Sequence, residues 1–237
     1  PQVVLAREKG APIVALGSLI SQPTAAMIWL RNSGVSDIAD LKGKTIAIPG
    51  LPFQRDFLEV ALAQGGLTLA DVKVKNVGYD LVPALVSGRA DAIFGGSRNL
   101  EGAVLETWGL DPVITRVQDL GIPLYDELVL IARPDRVAEN PRMIRGFMSA
   151  LSRGTAAAVG DRESALDSIE GSGETNIEVG RRAKEVQLEA TLPLLSRSAY
   201  MNPTQASELV HWMHEQGMIQ RKLPASAFLT NAYLPEP

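Results

Sequence analysis

The sequence TIAIPGLPFQRDFLEVALAQ, residues Thr45–Gln64, decides the fold class. Thr45–Ile48 is a short apolar run with β-branched residues, which predicts a strand ending at the turn Pro49-Gly50. The segment Phe53–Gln64 then repeats apolar residues at helical spacing, at Phe57, Leu58, Ala61 and Leu62. A strand, a tight turn and a helix in this order form the first half of a βαβ unit.

The alternation of strands and helices continues downstream of this unit. The hydrophobic pattern predicts, in order, the strand Val72–Val77, the helix Asp80–Ser87, the strand Ala90–Phe94, the helix Leu100–Trp108 and the strands Pro112–Val117 and Glu127–Ala132. Strands that alternate with helices are typical of a doubly wound sheet, parallel or mixed. We therefore predict an α/β fold.

The two ends of the chain extend this pattern. The upstream prediction is a helix at Val3–Lys9, a strand at Pro12–Leu16, a polar loop with Gly17 and Ser18, an apolar run at Ala25–Leu30 and a short helix at Val35–Leu41. The last third is predicted to be helical, with Asn140 and Asn202 as N-caps, over Pro141–Val159, Arg162–Glu170, Ile177–Leu195 and Pro203–Gly217. We expect two lobes, residues 1–35 with 125–237 and residues 36–124, and a return of the chain between them at Gly121–Leu130, beside a small-molecule cleft.

Composition excludes several classes of function. The net charge is -4 and the 23 basic residues are spread along the chain, so a nucleic-acid partner is not expected. There is no cysteine, which removes disulfides, thiolate metal sites and cysteine nucleophiles. His211 and His214 share a predicted helix face, but no third metal ligand accompanies them. The apolar stretches are shorter than the roughly 20 residues of a membrane span. We predict neither a metal nor a cofactor.

Hydrolase chemistry is not expected either. Ser18, Ser21 and Ser97 have no nucleophile-elbow pattern around them and no histidine placed to act as a base. Their hydroxyls are more consistent with hydrogen bonding in loops at strand ends, where open α/β sheets place their ligands. Gly95-Gly96 indicates either a close backbone approach to a ligand or a tight turn.

Four polar side chains lie just beyond predicted strand ends or at the turn between the lobes: Asn99, Glu101, Tyr125 and Glu127. Glu127 precedes an apolar strand, where a carboxylate is costly unless it meets a partner or a ligand donor. An exposed strand end or a salt bridge to a nearby arginine would also account for it. Tyr125 and Phe53 offer a ring face to an aromatic ligand, or alternatively pack in the core.

Several sequence segments resemble those of a known family. They are Leu5–Val14 (LAREKGAPIV), Asp40–Lys44 (DLKGK), Leu85–Ala92 (LVSGRADA) and Gly96–Glu101 (GSRNLE). With them the chain resembles, over nearly its whole length, the thiamine-pyrimidine synthesis proteins and the related solute-binding proteins for pyrimidine precursors, alkanesulfonates and nitrate. The resemblance implies a type II periplasmic-binding-protein fold and a receptor whose lobes close on a small ligand and deliver it to an ABC permease. It also implies a periplasmic or other extracytoplasmic location.

The segment Gly121–Val129 (GIPLYDELV) is similar to the pyrimidine-precursor branch rather than the sulfonate branch. This similarity implies that Glu127 accepts hydrogen bonds from the amine and ring N–H of an aminopyrimidine. Tyr125 and Phe53 would flank the ring, and Asn99 and Glu101 would line the opposite wall. A carboxylate suits such donors and repels a sulfonate, although an anion receptor remains an alternative.

The chain departs from the family in two respects. The pyrimidine-forming enzyme of the family carries a cysteine-rich motif, and this chain has no cysteine, so a synthase is the less favoured alternative. Family members also have further elements before the helix that begins here at about Val3, so we expect an incomplete first lobe. From this we expect either a homodimer through that lobe or weak ligand binding.

Overall fold

The computed structural model describes residues 1–172 and 180–235. The strands of this part are β1 (Val14–Ile20), β2 (Ala25–Leu30), β3 (Thr45–Ile48), β4 (Lys73–Asn76), β5 (Ala92–Ser97), β6 (Pro112–Arg116) and β7 (Leu128–Ala132). The α-helices are α1 (Gln2–Glu8), α2 (Gln54–Ala63), α3 (Leu81–Val86), α4 (Ala103–Thr107), α5 (Pro134–Glu139), α6 (Pro141–Gly160), α7 (Arg162–Gly171), α8 (Arg181–Thr191) and α9 (Pro203–Glu215). None of these helices is both long and apolar enough to cross a membrane.

The opening stretch forms the strand, turn and helix that its pattern predicts. Gly50 takes a left-handed backbone conformation, with φ 79°, at the turn that follows β3. Residues Phe57, Leu58, Ala61 and Leu62 are all buried on one side of α2, as the helical spacing requires. The α/β fold predicted from Thr45–Gln64 is therefore confirmed.

The larger sheet has the strand order β4-β3-β5-β2-β6. Strand β3 runs parallel to β4 and β5, whereas β2 runs antiparallel to β5 and β6. The sheet is therefore mixed. Its core joins Ile28, Ala47 and Ile93 on the strands to Leu81 and Leu85 on α3.

The smaller sheet pairs β1 with β7 in antiparallel register. Beside β1 lies a segment from near the C-terminal end, since Ala15 N–H donates to the Phe228 carbonyl at 2.8 Å and Thr230 N–H donates to the Ala15 carbonyl at 2.9 Å. The core here includes Leu16 of β1 and Met148 of α6.

The chain divides into two compact units. Unit 1 contains Pro1–Pro23, Pro123–Glu174 and Leu192–Pro237, and unit 2 contains Thr24–Ile122 and Thr175–Thr191. The predicted lobe boundary at residues 35 and 36 differs from this division, because β2 is hydrogen-bonded between two strands of unit 2. The predicted second boundary, at residues 124 and 125, lies two residues from the division at Ile122 and Pro123.

Two segments that the sequence predicts as loops or turns lie within strands. Gly17 and Ser18, expected in a polar loop, lie inside β1 and pair with Leu130 and Val129 of β7. Gly95-Gly96, expected after a strand, lies within β5. In both places the pairing with a neighbouring strand outweighs the loop preference of glycine and serine.

Other differences concern helix ends. Leu100–Trp108 was expected as one α-helix, but a π-helical turn covers Arg98–Gly102 before α4. Asn140 is the N-cap residue of α6, as predicted, but its side chain makes no capping hydrogen bond, and its amide N–H donates to the Arg136 carbonyl at 3.3 Å. Asn202 does cap α9, accepting from Thr204 N–H at 2.9 Å. Of the predicted helix Ile177–Leu195, the start lies outside the described residues.

A substitution at Gly17 tests the packing of the smaller sheet. An added Cβ at Gly17 would lie 2.5 Å from Met148 Cε and 3.0 Å from the Ala199 carbonyl oxygen. We expect Gly17→Ala to destabilise the chain by about 1–3 kcal/mol, because Met148 is fully buried and cannot easily move away. Urea unfolding measures the change.

Gly154→Ala is the matched control. Gly154 lies in α6 with open space around the position of an added Cβ. Here the same change should stabilise the chain by about 0.5–1 kcal/mol, because alanine favours a helix over glycine. Equal effects at the two glycines would contradict the packing described for β1.

Candidate functional site

Each unit carries one group of polar side chains at the end of a strand. In unit 1 the group is Tyr125, Asp126 and Glu127, directly before β7. Glu127 N–H donates to the Ile20 carbonyl at 2.9 Å, so the antiparallel pairing continues one residue beyond the strand. This hydrogen bond fixes the backbone that carries the carboxylate.

Tyr125 and Glu127 are joined by a hydrogen bond between their side chains. Tyr125 is only 2% exposed, and burial raises the pKa of its phenol well above the usual range, with a further contribution from the negative charge of Glu127. The phenol therefore stays protonated and donates to the carboxylate. A buried phenol with two stiff torsions holds that carboxylate in a defined position.

Asp126 is a second carboxylate of this group. Burial raises the pKa of Asp126, and the nearby Ser18 hydroxyl partly offsets that rise. Ser18 lies in β1 and is fully buried. Ser18 was expected as a hydrogen-bonding group in a loop, but it lies within a strand and its Oγ has no hydrogen-bond partner among the described residues.

A small cavity adjoins the carboxylates of unit 1. Its volume is about 60 Å³, and its lining combines Tyr125 and Glu127 with the apolar side chains of Val4, Ala15 and Phe228. A space of this size holds a few water molecules, since one water needs about 10–15 Å³. It is smaller than the roughly 300–1,000 Å³ of typical ligand pockets, so it would take only part of a ligand.

In unit 2 the polar group lies where β5 ends beside the start of β2. Ala25 pairs with Ser97, and the hydroxyls of Thr24 and Ser97 lie 3.1 Å apart in a hydrogen bond. Arg98 N–H donates to the Thr24 carbonyl at 2.9 Å. The two strand ends are thus tied together by backbone and side chain.

Glu101 folds back onto this strand end. Ser97 N–H donates to Glu101 Oε2 at 2.6 Å across the π-helical turn. Burial raises the pKa of Glu101, and hydrogen bonds from the backbone N–H groups of Ser97 and Glu101 partly offset the rise. π-Helical turns often occur at functional sites, and this one brings a carboxylate to the strand end.

Asn99 lies in the same turn and is 4% exposed. Its side-chain N–H donates to Thr191 Oγ1 at 2.8 Å, at the end of α8. Its carbonyl oxygen, Oδ1, is buried and has no hydrogen-bond partner among the described residues. An unmatched buried acceptor is uncommon and destabilising, which makes Asn99 a candidate for contact with a ligand donor.

Phe53 and Gln54 lie at the start of α2. Phe53 is buried and packs edge-on against Phe57, with ring centroids 4.8 Å apart. Gln54 is also buried, and its Oε1 accepts from Leu51 N–H at 3.1 Å. The Gln54 amide occupies the space beside Gly95 that a Cβ would fill, so Gly95 serves a close approach between two parts of the protein.

The structure brings the predicted residues together within each unit. Tyr125 and Glu127 form a hydrogen-bonded pair in unit 1, and Asn99 and Glu101 share one turn in unit 2. Their contact with a ligand stays a prediction, as does the role of Phe53 as a ring face.

Sequence reasoning missed Thr24, Gln54 and Asp126. A signal existed for Gln54, which lies three and four residues before Phe57 and Leu58 and so on the buried face of α2. The histidines lie elsewhere, on α9, where His211 contacts Glu215 at 2.9 Å and Lys222 at 2.7 Å. The described residues contain no cluster suited to a metal ion.

Replacing Glu101 by Gln should change how stability depends on pH. Because burial raises the pKa of Glu101, the folded chain binds the proton more tightly than the unfolded chain. The contribution of Glu101 to stability is therefore present at low pH and is lost as pH rises through the folded pKa. We expect the Tm of E101Q, relative to the unsubstituted chain, to increase from about pH 4 to about pH 7.

Thermal melts monitored by circular dichroism measure this dependence. Glu106→Gln is the control, because Glu106 is exposed on the following helix and loses the same charge. If the difference in Tm between E101Q and the unsubstituted chain does not change with pH, the burial of the Glu101 charge is not as described.

Several known proteins are similar to this chain. Residues 1–165 match the family described as NMT1/THI5 like. A putative thiamine biosynthesis protein of Haemophilus influenzae is 29% identical over 94% of this chain and 70% of its own length. A formylaminopyrimidine-binding protein of Halalkalibacterium halodurans is 34% identical over 70% of this chain and 51% of its own length. The chain thus spans about 70% of one relative and half of the other.

Other relatives carry the name 4-amino-5-hydroxymethyl-2-methylpyrimidine phosphate synthase. Among solved structures, the alkanesulfonate-binding protein SsuA of Xanthomonas axonopodis superposes with a TM-score of 0.72 over 97% of this chain and 77% of that protein, at 16% identity. At that identity the likeness concerns the fold, and it confirms the predicted periplasmic-binding-protein fold. Since the family match covers more than half of the sequence, this chain belongs to the NMT1/THI5-like family.

Proposed function

We propose that this chain is the solute-binding component of an ABC importer and that it binds a small heterocycle of the aminopyrimidine type. The observation that carries the proposal is the Tyr125–Glu127 pair, a carboxylate held by a buried phenol beside a small cavity. The similarity to a formylaminopyrimidine-binding protein supports the same ligand class.

The chemistry of both polar groups suits a ligand rich in N–H donors. Glu127 and Glu101 offer carboxylate oxygens, and Asn99 offers an unpartnered amide oxygen. An aminopyrimidine presents an exocyclic amine, which donates to such acceptors. A carboxylate at the same position disfavours a sulfonate, although the protein fold is shared with sulfonate receptors.

Binding without catalysis is the activity that we propose. Relatives with a synthase name leave an enzyme as the alternative. The sequence has no cysteine that could supply a cysteine-rich motif, and both of its histidines lie on α9, away in sequence from the polar groups. Titration with pyridoxal phosphate and iron, followed by absorbance, would reveal the enzyme alternative.

The partners follow from the same proposal. The fold is that of periplasmic binding proteins, which supports an extracytoplasmic location and an ABC permease as the membrane partner. A homodimer through unit 1 stays a prediction. Light scattering during size-exclusion chromatography gives the molecular mass of the protein directly. A monomer at all concentrations would contradict the homodimer.

Glu127→Gln tests the ligand site directly. The amide loses the negative charge and one acceptor but keeps the size of the side chain. We expect affinity for 4-amino-5-hydroxymethyl-2-methylpyrimidine to fall about 10-fold to 100-fold, as expected when a charged hydrogen bond is lost. Calorimetric titration measures the affinity.

Glu139→Gln is the matched control in the same unit. Glu139 is exposed on α5, where it contacts Arg136 at 3.1 Å, so the same change of charge occurs away from the cavity. The control should bind like the unsubstituted chain. Unchanged affinity in E127Q would remove Glu127 from the site.

A further inference from the structure

The Glu101 carboxylate accepts a backbone hydrogen bond at the point in unit 2 where β5 leads into a helical segment. The chain turns from β5 into the helical segment that starts at Arg98, and backbone N–H groups at such a start attract anions. Here Ser97 N–H already donates to Glu101 Oε2 at 2.6 Å. The protein thus supplies its own anion to this donor.

The local backbone is arranged to allow this contact. An added Cβ at Gly96 would lie 3.6 Å from Glu101 Cβ and 3.2 Å from Ile93 Cδ1. A side chain at Gly96 would therefore crowd Ile93, while its distance to Glu101 is an ordinary van der Waals contact. Gly95, with φ 85°, is the extra residue of β5 between the pairs Ala26 with Gly96 and Met27 with Phe94. The resulting bulge bends the strand just before the turn.

A second observation in the same turn points to the chemistry of the ligand. The Asn99 side chain is 4% exposed, and Thr191 accepts from its N–H at 2.8 Å. The Asn99 Oδ1 atom has no partner among the described residues. A buried acceptor without a donor is relieved by a ligand N–H and not by an anion.

We propose that Glu101 is a specificity-determining residue, which keeps anions away from the Ser97 N–H group and leaves this end of β5 to ligands that donate hydrogen bonds. The inference rests on the proposed binding function and adds the class of ligand that the site rejects. Two effects of Glu101 disfavour the binding of an anion. An anion must displace a charge-assisted hydrogen bond, and it must also approach a like charge in a partly buried place.

Sulfate and methanesulfonate are the probes, titrated by calorimetry into the unsubstituted chain, Glu101→Ala and Glu101→Gln. Alanine frees the Ser97 N–H group and removes the charge, so we expect sulfate and methanesulfonate to bind at least about tenfold more tightly than to the unsubstituted chain. Glutamine removes the charge but keeps an oxygen for Ser97, so a smaller gain is expected. The control Glu106→Ala loses the same charge from an exposed position on α4 and should show no gain.

Two outcomes would overturn the proposal. One is equal anion affinity in the unsubstituted chain and in both Glu101 variants. The other is an equal gain in Glu106→Ala, which would mean that net charge alone acts. If circular dichroism shows that Glu101→Ala does not fold, Glu101→Gln decides, because it retains an acceptor for Ser97 N–H. Its failure to gain anion affinity then contradicts the inference.

An aminopyrimidine titration separates this inference from the proposed function. If the unsubstituted chain binds no aminopyrimidine while Glu101→Ala gains anion affinity, the proposed ligand is wrong and the role of Glu101 in excluding anions stands. If the unsubstituted chain binds the aminopyrimidine and the Glu101 variants gain no anion affinity, the inference about Glu101 fails alone.

Discussion

A partly buried carboxylate is stabilised by hydrogen-bond donors arranged around it, and both polar groups of this protein depend on that constraint. Glu127 accepts from the Tyr125 phenol, and Glu101 accepts from the Ser97 N–H group. In each case the donor comes from a residue that the strand or the adjacent turn already fixes. The strand ends therefore determine where the negative charges lie.

Carboxylates at the surface are instead paired with arginines. Asp119 pairs with Arg116 at 2.9 Å and Asp135 pairs with Arg133 at 2.8 Å, all with side chains about half exposed. These arginines lower the pKa of the two carboxyls, chiefly by hydrogen bonding. An arginine brings a positive charge to the carboxylate, whereas a phenol or a backbone N–H donates a hydrogen bond without one.

Sequence patterns predicted the regular part of the fold because the relevant information is local. The spacing of Phe57, Leu58 and Ala61 specifies a helix face without reference to any other segment. The start of β1 was predicted for the same reason. Its continuation through Gly17 and Ser18 was not, because those residues are strand only by pairing with β7, more than a hundred positions away in the sequence.

The candidate site shows the same division between local and distant information. Glu127 stood out because an acidic residue before an apolar strand is unusual in any fold. Its partner Tyr125 is two residues away and was also singled out from the sequence. Thr24 and Gln54 were not recognised as members of the unit 2 group, because their roles depend on strand β5 passing beside them.

The two glycines of β5 shape the strand where it leads into the turn that carries Glu101. Gly95 takes a positive φ and supplies the bulge, and a side chain there would push Gln54 away. A side chain at Gly96 would crowd Ile93, whereas its distance to Glu101 is an ordinary van der Waals contact. The sequence pattern Gly95-Gly96 left a tight turn and a close approach as alternatives. The structure has a close approach, between Gly95 and the Gln54 side chain of the protein itself.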